Sequence, residues 1–266
     1  PTPEATPKYP MDDVLAVNHL QVKGTHNSYH LKPKHPGMAW NYSHAPLDVQ
    51  CDQQGVRQFE LDLFFNKETG KYDVFHFPVV DAETNCATLA DCLGALKKWS
   101  DAHRDHLPIQ VWLEPKDNGD PTKSKPAYAA LEKALLDTLG RDRLLTPDDV
   151  RGEAKDLVTA IGAAGWPKLK AARGKFMAVM LDGGEHRDRY TAPDPTLAGR
   201  LLFAEGGADK PWGVIEKIDN PKGGAAAIKA AVEAGRIIRT RADNGSVEAE
   251  KSDYSRLEAA LASGAQ

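Results

Sequence analysis

One pattern constrains this chain more than any other: short apolar runs of strand length alternate with segments of helical period. The runs are "HLQVKGTH", "VRQFELDLF", "YDVFHF", "PIQVWLEPK", "KFMAVML", "RLLFAE", "WGVIEKID" and "RIIRTRAD". Between several of them lie amphipathic stretches. "LADCLGALKKWSDAH" carries Leu89, Leu93, Leu96 and Trp99 near a 3.6-residue period. "AYAALEKALLDTLG" repeats the pattern with Leu131, Leu135 and Leu139 and ends on Gly140, a residue suited to a C-terminal cap. "GAAAIKAAVEAG" is a third, again closed by glycine. Strands alternating with helices predict a parallel sheet. Eight strand candidates within 266 residues predict an α/β fold of the TIM-type (β/α)8 barrel class rather than an open doubly wound sheet.

No linker long enough to separate two domains interrupts the alternation. We therefore expect one catalytic domain over residues 14–266, preceded by a polar, proline-rich flexible leader at 1–13 that reads as the start of a processed chain. A net charge of −4 lacks the clustered basic excess of a nucleic-acid binder. No apolar run approaches the roughly 20 residues needed to span a bilayer. No glycine-rich phosphate loop follows the first strand, which removes the main nucleotide-binding reading. Of three cysteines, Cys86 and Cys92 enclose the short loop "CATLADC". They form a local disulfide if the protein is exported; the alternative is a pair of half-buried thiols near a helix start. With no second pair at finger-like spacing, a zinc site is not expected.

Loops that follow barrel strands build the active-site face, so polar residues at strand ends carry the functional signal. The first strand ends in His26 and Asn27, within "GTHNSYH". The second carries Glu60 and Asp62, two apart and so on one side. The third ends in His76, and the fourth in Glu114 and Lys116. Buried carboxylates cost several kcal/mol each, of order 3–5, unless they are paired or bind a cation. Three carboxylates and an amide oxygen converging at one end form the hard oxygen set that calcium prefers. Taken singly, each signal has an ordinary explanation: a solvated strand face, a satisfied histidine, a surface ion pair. Their succession at the ends of four consecutive strands does not. Arg239 and Arg241, on one side of "IIRTRAD", and Lys217 are candidate phosphate ligands, the alternative being pairing with Asp243 or Asp219.

Together "GTHNSYH", "VRQFELDLF", "VFHFP", "IQVWLEPK" and "IIRTRAD" resemble the bacterial calcium-dependent phosphatidylinositol-specific phospholipases C, with similarity from about Leu15 onward. The resemblance implies a TIM-type barrel and one catalytic calcium held by Asn27, Glu60, Asp62 and Glu114. It also implies His26 and His76 as the catalytic pair. The implied reaction is attack of the inositol 2-hydroxyl on the adjacent phosphorus, releasing diacylglycerol and a cyclic inositol phosphate. In that scheme Glu60 or Glu114 takes the hydroxyl proton, His26 protonates the leaving glycerol oxygen, and His76 stabilises charge as a cation. Lys116, Lys217, Arg239 and Arg241 are expected on the substrate. In the family the chain continues past "SGAQ" into a further apolar strand. Closure here therefore depends on whether 200–205 is a wall, and the barrel is expected to be irregular or incompletely closed at its C-terminal end.

The expected partner is a phosphoinositide or related phosphodiester, met by a monomer in transient contact with a membrane surface through Trp40, Tyr42 or Trp212. The expected location is secreted or periplasmic. Two other functions compete. A metal-dependent phosphodiesterase acting on soluble glycerophosphodiesters shares the His, Glu-x-Asp, His logic, but typically begins with His-Arg-Gly where this chain has His26 and Asn27. A non-catalytic calcium or headgroup-binding module would need neither histidine.

Overall fold

All eight strand candidates are strands in the computed structural model, which describes residues 8–35, 40–116 and 121–266. They are β1 (Lys23–Thr25), β2 (Val56–Asn66), β3 (Lys71–Val74), β4 (Ile109–Pro115), β5 (Phe176–Met180), β6 (Leu202–Ala204), β7 (Ile215–Lys217) and β8 (Ile237–Arg239). The helices between and after them are α1 (Leu47–Gln53), α2 (Leu89–Ala102), α3 (Pro121–Leu139), α4 (Pro147–Arg151) and α5 (Leu157–Ala163). Then follow α6 (Leu169–Ala172), α7 (Glu185–Thr191), α8 (Ala225–Glu233), α9 (Val247–Glu250) and α10 (Ser255–Ala262).

Strands β1, β2, β4, β5 and β6 pair side by side in that order, all in parallel. A parallel bridge between Glu205 and Ile215 carries the wall on to β7, which pairs in parallel with β8. The third candidate is the exception. β3 runs antiparallel to β2, with Leu63 opposite Val74 and Asn66 opposite Lys71. Only residues 67–70 join the two, far too few for the crossover a parallel neighbour needs. Gly70, at φ +66, makes the turn.

The segment at 200–205 is thus a wall, but it does not close a barrel of eight. Among the described residues the parallel walls number seven, and β8 is not paired with β1. Side-chain and main-chain bonds cross that gap instead. The Gln266 N–H donates to Ile238 O at 2.9 Å, the Ile238 N–H donates to Gln266 Oε1 at 2.8 Å, and Gln266 Nε2 donates to Asn18 O at 2.9 Å.

Strand alternation sorts side chains by face. Phe59, Leu61, Leu63, Val111 and Leu113 are fully buried in the apolar core. Their neighbours in sequence turn to the barrel interior, where Trp112 Nε1 donates to Gln110 Oε1 at 3.1 Å and the Arg239 guanidinium lies 5.2 Å from the Trp112 ring centre. β1 approaches β2 closely because residue 24 is glycine: a Cβ there would come within 2.8 Å of Gln58 Oε1.

Helix α2 begins with a capping box, Thr88 accepting from the Asp91 N–H and Asp91 accepting from the Thr88 N–H. Cys86 and Cys92 are bonded to each other across this helix start, and Cys51 is a buried free thiol. Of the leader expected at 1–13, residues 1–7 lie outside the described residues, and the next few are held to the body. Arg173 lies 3.7 Å over the Tyr9 ring and pairs with Asp12 at 2.6 Å, and the Tyr9 hydroxyl donates to Asp105 at 2.5 Å. Trp212, a candidate for surface contact, is buried in the core.

Candidate active site

At the end of β1 the chain turns through Asn27, whose φ of +48 is in the left-handed region that asparagine tolerates better than most residues. The turn is tied to β2 by Ser28: its N–H donates to Glu60 O at 3.0 Å, and its Oγ accepts from the Glu60 N–H at 2.8 Å. These bonds bring His26 and Asn27 to the level of the carboxylates. His26 Nε2 lies 3.4 Å from Glu60 Oε1 while 43% of the imidazole side chain stays exposed. His44 Nε2, 3.0 Å from His26 O, holds the same turn from the opposite side.

Parallel register places Asp62 opposite Glu114 and Glu60 opposite Trp112. Glu60, Asp62 and Glu114 each offer an oxygen, and those oxygens all lie within 4.8 Å of one another. Both Asp62 oxygens are buried without a hydrogen-bond partner, and its nearest cation is Lys116 Nζ at 3.4 Å. Burial pushes the Asp62 carboxyl up to about 8; Lys116 opposes the rise, and Glu114 and Glu60 add to it. A buried carboxylate with no hydrogen-bond partner and one long ion pair, in a cluster of three, fits a hard divalent cation, and all-oxygen donors fit calcium. Asn27 lines the adjoining cleft together with His26, whose imidazole reaches Glu60.

The expected cations divide. Lys116 is engaged with Glu114 at 2.7 Å as well as with Asp62, the ion pair that was its ordinary explanation. Arg239 is buried and ion-paired with Glu60, so its guanidinium serves a carboxylate rather than standing open to a phosphate. Lys217 acts on Glu205, whose carboxyl burial raises and Lys217 lowers, and it is not on the cleft wall. Arg241 does line the cleft, and among the described residues its side chain has no carboxylate partner.

The cleft encloses about 470 Å³ between His26, Asn27, Trp40, Tyr42, His76 and Arg241. Desolvation, together with Arg241, Arg239 and His76, lowers the pKa of His26 and favours its neutral form. That opposes its expected role as the proton donor. His76 is held by a carboxylate: its Nδ1 lies 2.6 Å from Asp81 Oδ2. Asp81 is completely buried and is shared with His30, whose Nε2 is 2.9 Å from Oδ1 and whose Nδ1 is 3.0 Å from Tyr42 O. Sequence reasoning assigned no role to Asp81 or His30, and named Tyr42 only as a candidate membrane contact. His30 closes the polar stretch "GTHNSYH", and Asp81 follows His76 by five residues, but nothing in the sequence alone joins the two.

The model of one protein family, described as "Phosphoinositide phospholipase C, Ca2+-dependent", matches residues 15–74 and 72–266. No curated protein matches the sequence significantly. Among solved structures, the apo calcium-dependent phosphoinositol-specific phospholipase C of a Gram-negative Pseudomonas species superposes with a TM-score of 0.69. It is 20% identical, over 92% of this chain and 89% of that one. Its myoinositol complex gives 0.70 at 19% identity, over 92% and 90%. The Ca2+-dependent phosphatidylinositol-specific phospholipase C of Streptomyces antibioticus gives 0.63 at 20% identity, over 84% and 82%. At such identities these likenesses establish the fold, and it is the irregular barrel described above.

Proposed function

The chain belongs to the calcium-dependent phosphoinositide phospholipase C family, and from that premise we propose that it cleaves phosphatidylinositol with its own His26, His76 and carboxylate set. The observation that carries the reading is the carboxylate cluster around the buried Asp62, whose oxygens lack a hydrogen-bond partner, beside His26, which lies 3.4 Å from Glu60 and lines one cleft with His76. Glu60, Asp62, Glu114 and Asn27 would hold the calcium, which when bound supplies Lewis acidity to the attacking hydroxyl and charge compensation to the phosphoryl oxygens.

The chain's own residues do the rest. Neutral His26 accepts the proton of the inositol 2-hydroxyl as that oxygen bonds to phosphorus. His76, its Nδ1 directed at Asp81, gives a proton from Nε2 to the glycerol oxygen as the phosphorus–oxygen bond to diacylglycerol breaks. Arg241 meets the phosphoryl charge, and Trp40 and Tyr42 wall the headgroup space. The products are diacylglycerol and a cyclic inositol phosphate. The Cys86–Cys92 disulfide supports an extracytoplasmic location for this reaction.

Phosphorus NMR of phosphatidylinositol in detergent-mixed micelles tests the reading, with calcium and then with chelator, for the wild type, His76→Ala and Glu60→Gln. A calcium-dependent cyclic phosphate lost in both variants is the expected result. Turnover of glycerophosphodiesters but not of phosphatidylinositol would assign the site to soluble substrates. Tight calcium binding with no turnover of either would leave a binding module.

A further inference from the structure

The segment between His76 and Asp81 is a small loop with both ends in the site. The Phe77 N–H donates to Asp81 O at 2.9 Å and the Asp81 N–H donates back to Phe77 O at 3.1 Å. Inside that ring, the Val80 N–H donates to Pro78 O at 2.8 Å across Val79, whose φ is +70. This is a three-residue turn of the strained γ type. A β-branched residue at positive φ is an outlier, and glycine would adopt the same turn without strain. Yet Val79 is 97% exposed, Val80 59% and Phe77 47%, so the valines gain no packing within the fold in return. Phe77 lies against Trp40, with ring centres 5.9 Å apart, which joins the tip to the cleft wall. From Phe77 through Ala87 the sequence has no lysine or arginine, while Asp81 and Glu83 are acidic.

We propose that the Phe77–Val80 tip is a lipid-docking loop that inserts apolar side chains into the surface of a bilayer, placing the cleft over the headgroup of a lipid still in the membrane. The inference rests on the reading of the protein as a phospholipase. A substrate with two acyl chains presents its phosphodiester at an apolar surface, and this loop offers exposed apolar side chains beside the cleft that would receive it. The lack of basic residues makes the contact apolar rather than a charge attraction, so it operates on zwitterionic lipid and persists in salt. His76 and Asp81 are the two ends of the loop, so seating the tip also fixes the proton donor relative to the membrane plane.

The test is flotation with phosphatidylcholine vesicles, with and without a minor fraction of phosphatidylinositol, using the full chain and Val79→Gly/Val80→Ser. The double variant is expected to partition about 10-fold or more weakly, with its thermal stability not lowered, because glycine relieves the turn. Its turnover of water-soluble glycerophosphoinositol should be unchanged. Val80→Trp is expected to bind more tightly than wild type. Equal vesicle binding by wild type and the double variant would overturn the proposal. So would binding confined to anionic vesicles and abolished by high salt, or a wild-type dimer in sedimentation that the variant converts to monomer. If neither micellar nor soluble substrate is turned over but the variant still loses vesicle binding, the docking loop stands and the phospholipase reading fails.

Discussion

Two arginines two residues apart, Arg239 at the end of β8 and Arg241 just beyond it, show how burial divides chemically identical side chains. Arg239 neutralises Glu60 inside the barrel, whereas Arg241 faces the cleft. Removing the first leaves a carboxylate buried and unpaired, so Arg239→Met should destabilise the metal-free protein by about 3 kcal/mol or more. Arg241→Met should leave the melting temperature where it is and weaken turnover, which thermal unfolding beside a phosphatidylinositol assay will separate. The histidines divide in the same way. His76→Ala should lower kcat by about 100-fold or more. Asp81→Asn, which keeps a hydrogen-bond acceptor for His76 but no charge, should fall between that variant and wild type in the same assay. What the sequence showed of the site was set by strand alternation: Glu60 and Asp62 two apart, and polar residues at successive strand ends. Asp81 and His30 were not legible because their pairing depends on a loop fold, and no period marks a loop contact between residues 51 apart.

Among the elements, the β2–β3 hairpin and the start of α2 carry the front edge of the site. "YDVFHF" reads as a strand and is one, but strand propensity does not say which way a strand runs. The connection does: residues 67–70 are too few for a crossover, so the antiparallel return was available from spacing alone. β3 leads directly into His76, and the segment after the docking loop is fixed to α2 by the Cys86–Cys92 bond and the Thr88 cap. A cross-link closing so short a loop is worth about 2 kcal/mol through the unfolded chain. Cys86→Ser/Cys92→Ser should therefore lose stability of that order in urea unfolding while retaining measurable turnover in micelles. A larger loss of activity than of stability would show that α2 also fixes the position of His76.

At the scale of the whole molecule, the barrel gathers charge at one end and must offset it there, which makes stability depend on pH in two opposed ways. The Asp62 carboxyl titrates at about 8 when folded, against 3.8 for its ordinary value. The metal-free fold favours its proton, so stability falls as pH rises from about 4 through 8. His106, where α2 meets β4, is shifted the other way. Burial lowers it to about 4 from 6.5, with Ser100 Oγ 2.5 Å from its Nε2. Its contribution is full above 6.5 and is lost as pH falls toward 4. Between pH 4 and 6.5 the lowered histidines, His106 with His26 and His44, oppose the Asp62 slope. Above 6.5 their opposition is gone, and Asp62 alone should cost the metal-free protein about 2 kcal/mol between pH 6.5 and 8. Calcium would reverse that trend, because binding favours the ionised carboxylate and releases its proton. Urea unfolding at pH 6.5 and 8, with calcium and with chelator, should show the decline in chelator alone. An equal decline in both would mean that the carboxylates of β2 and β4 are not where the cation is held.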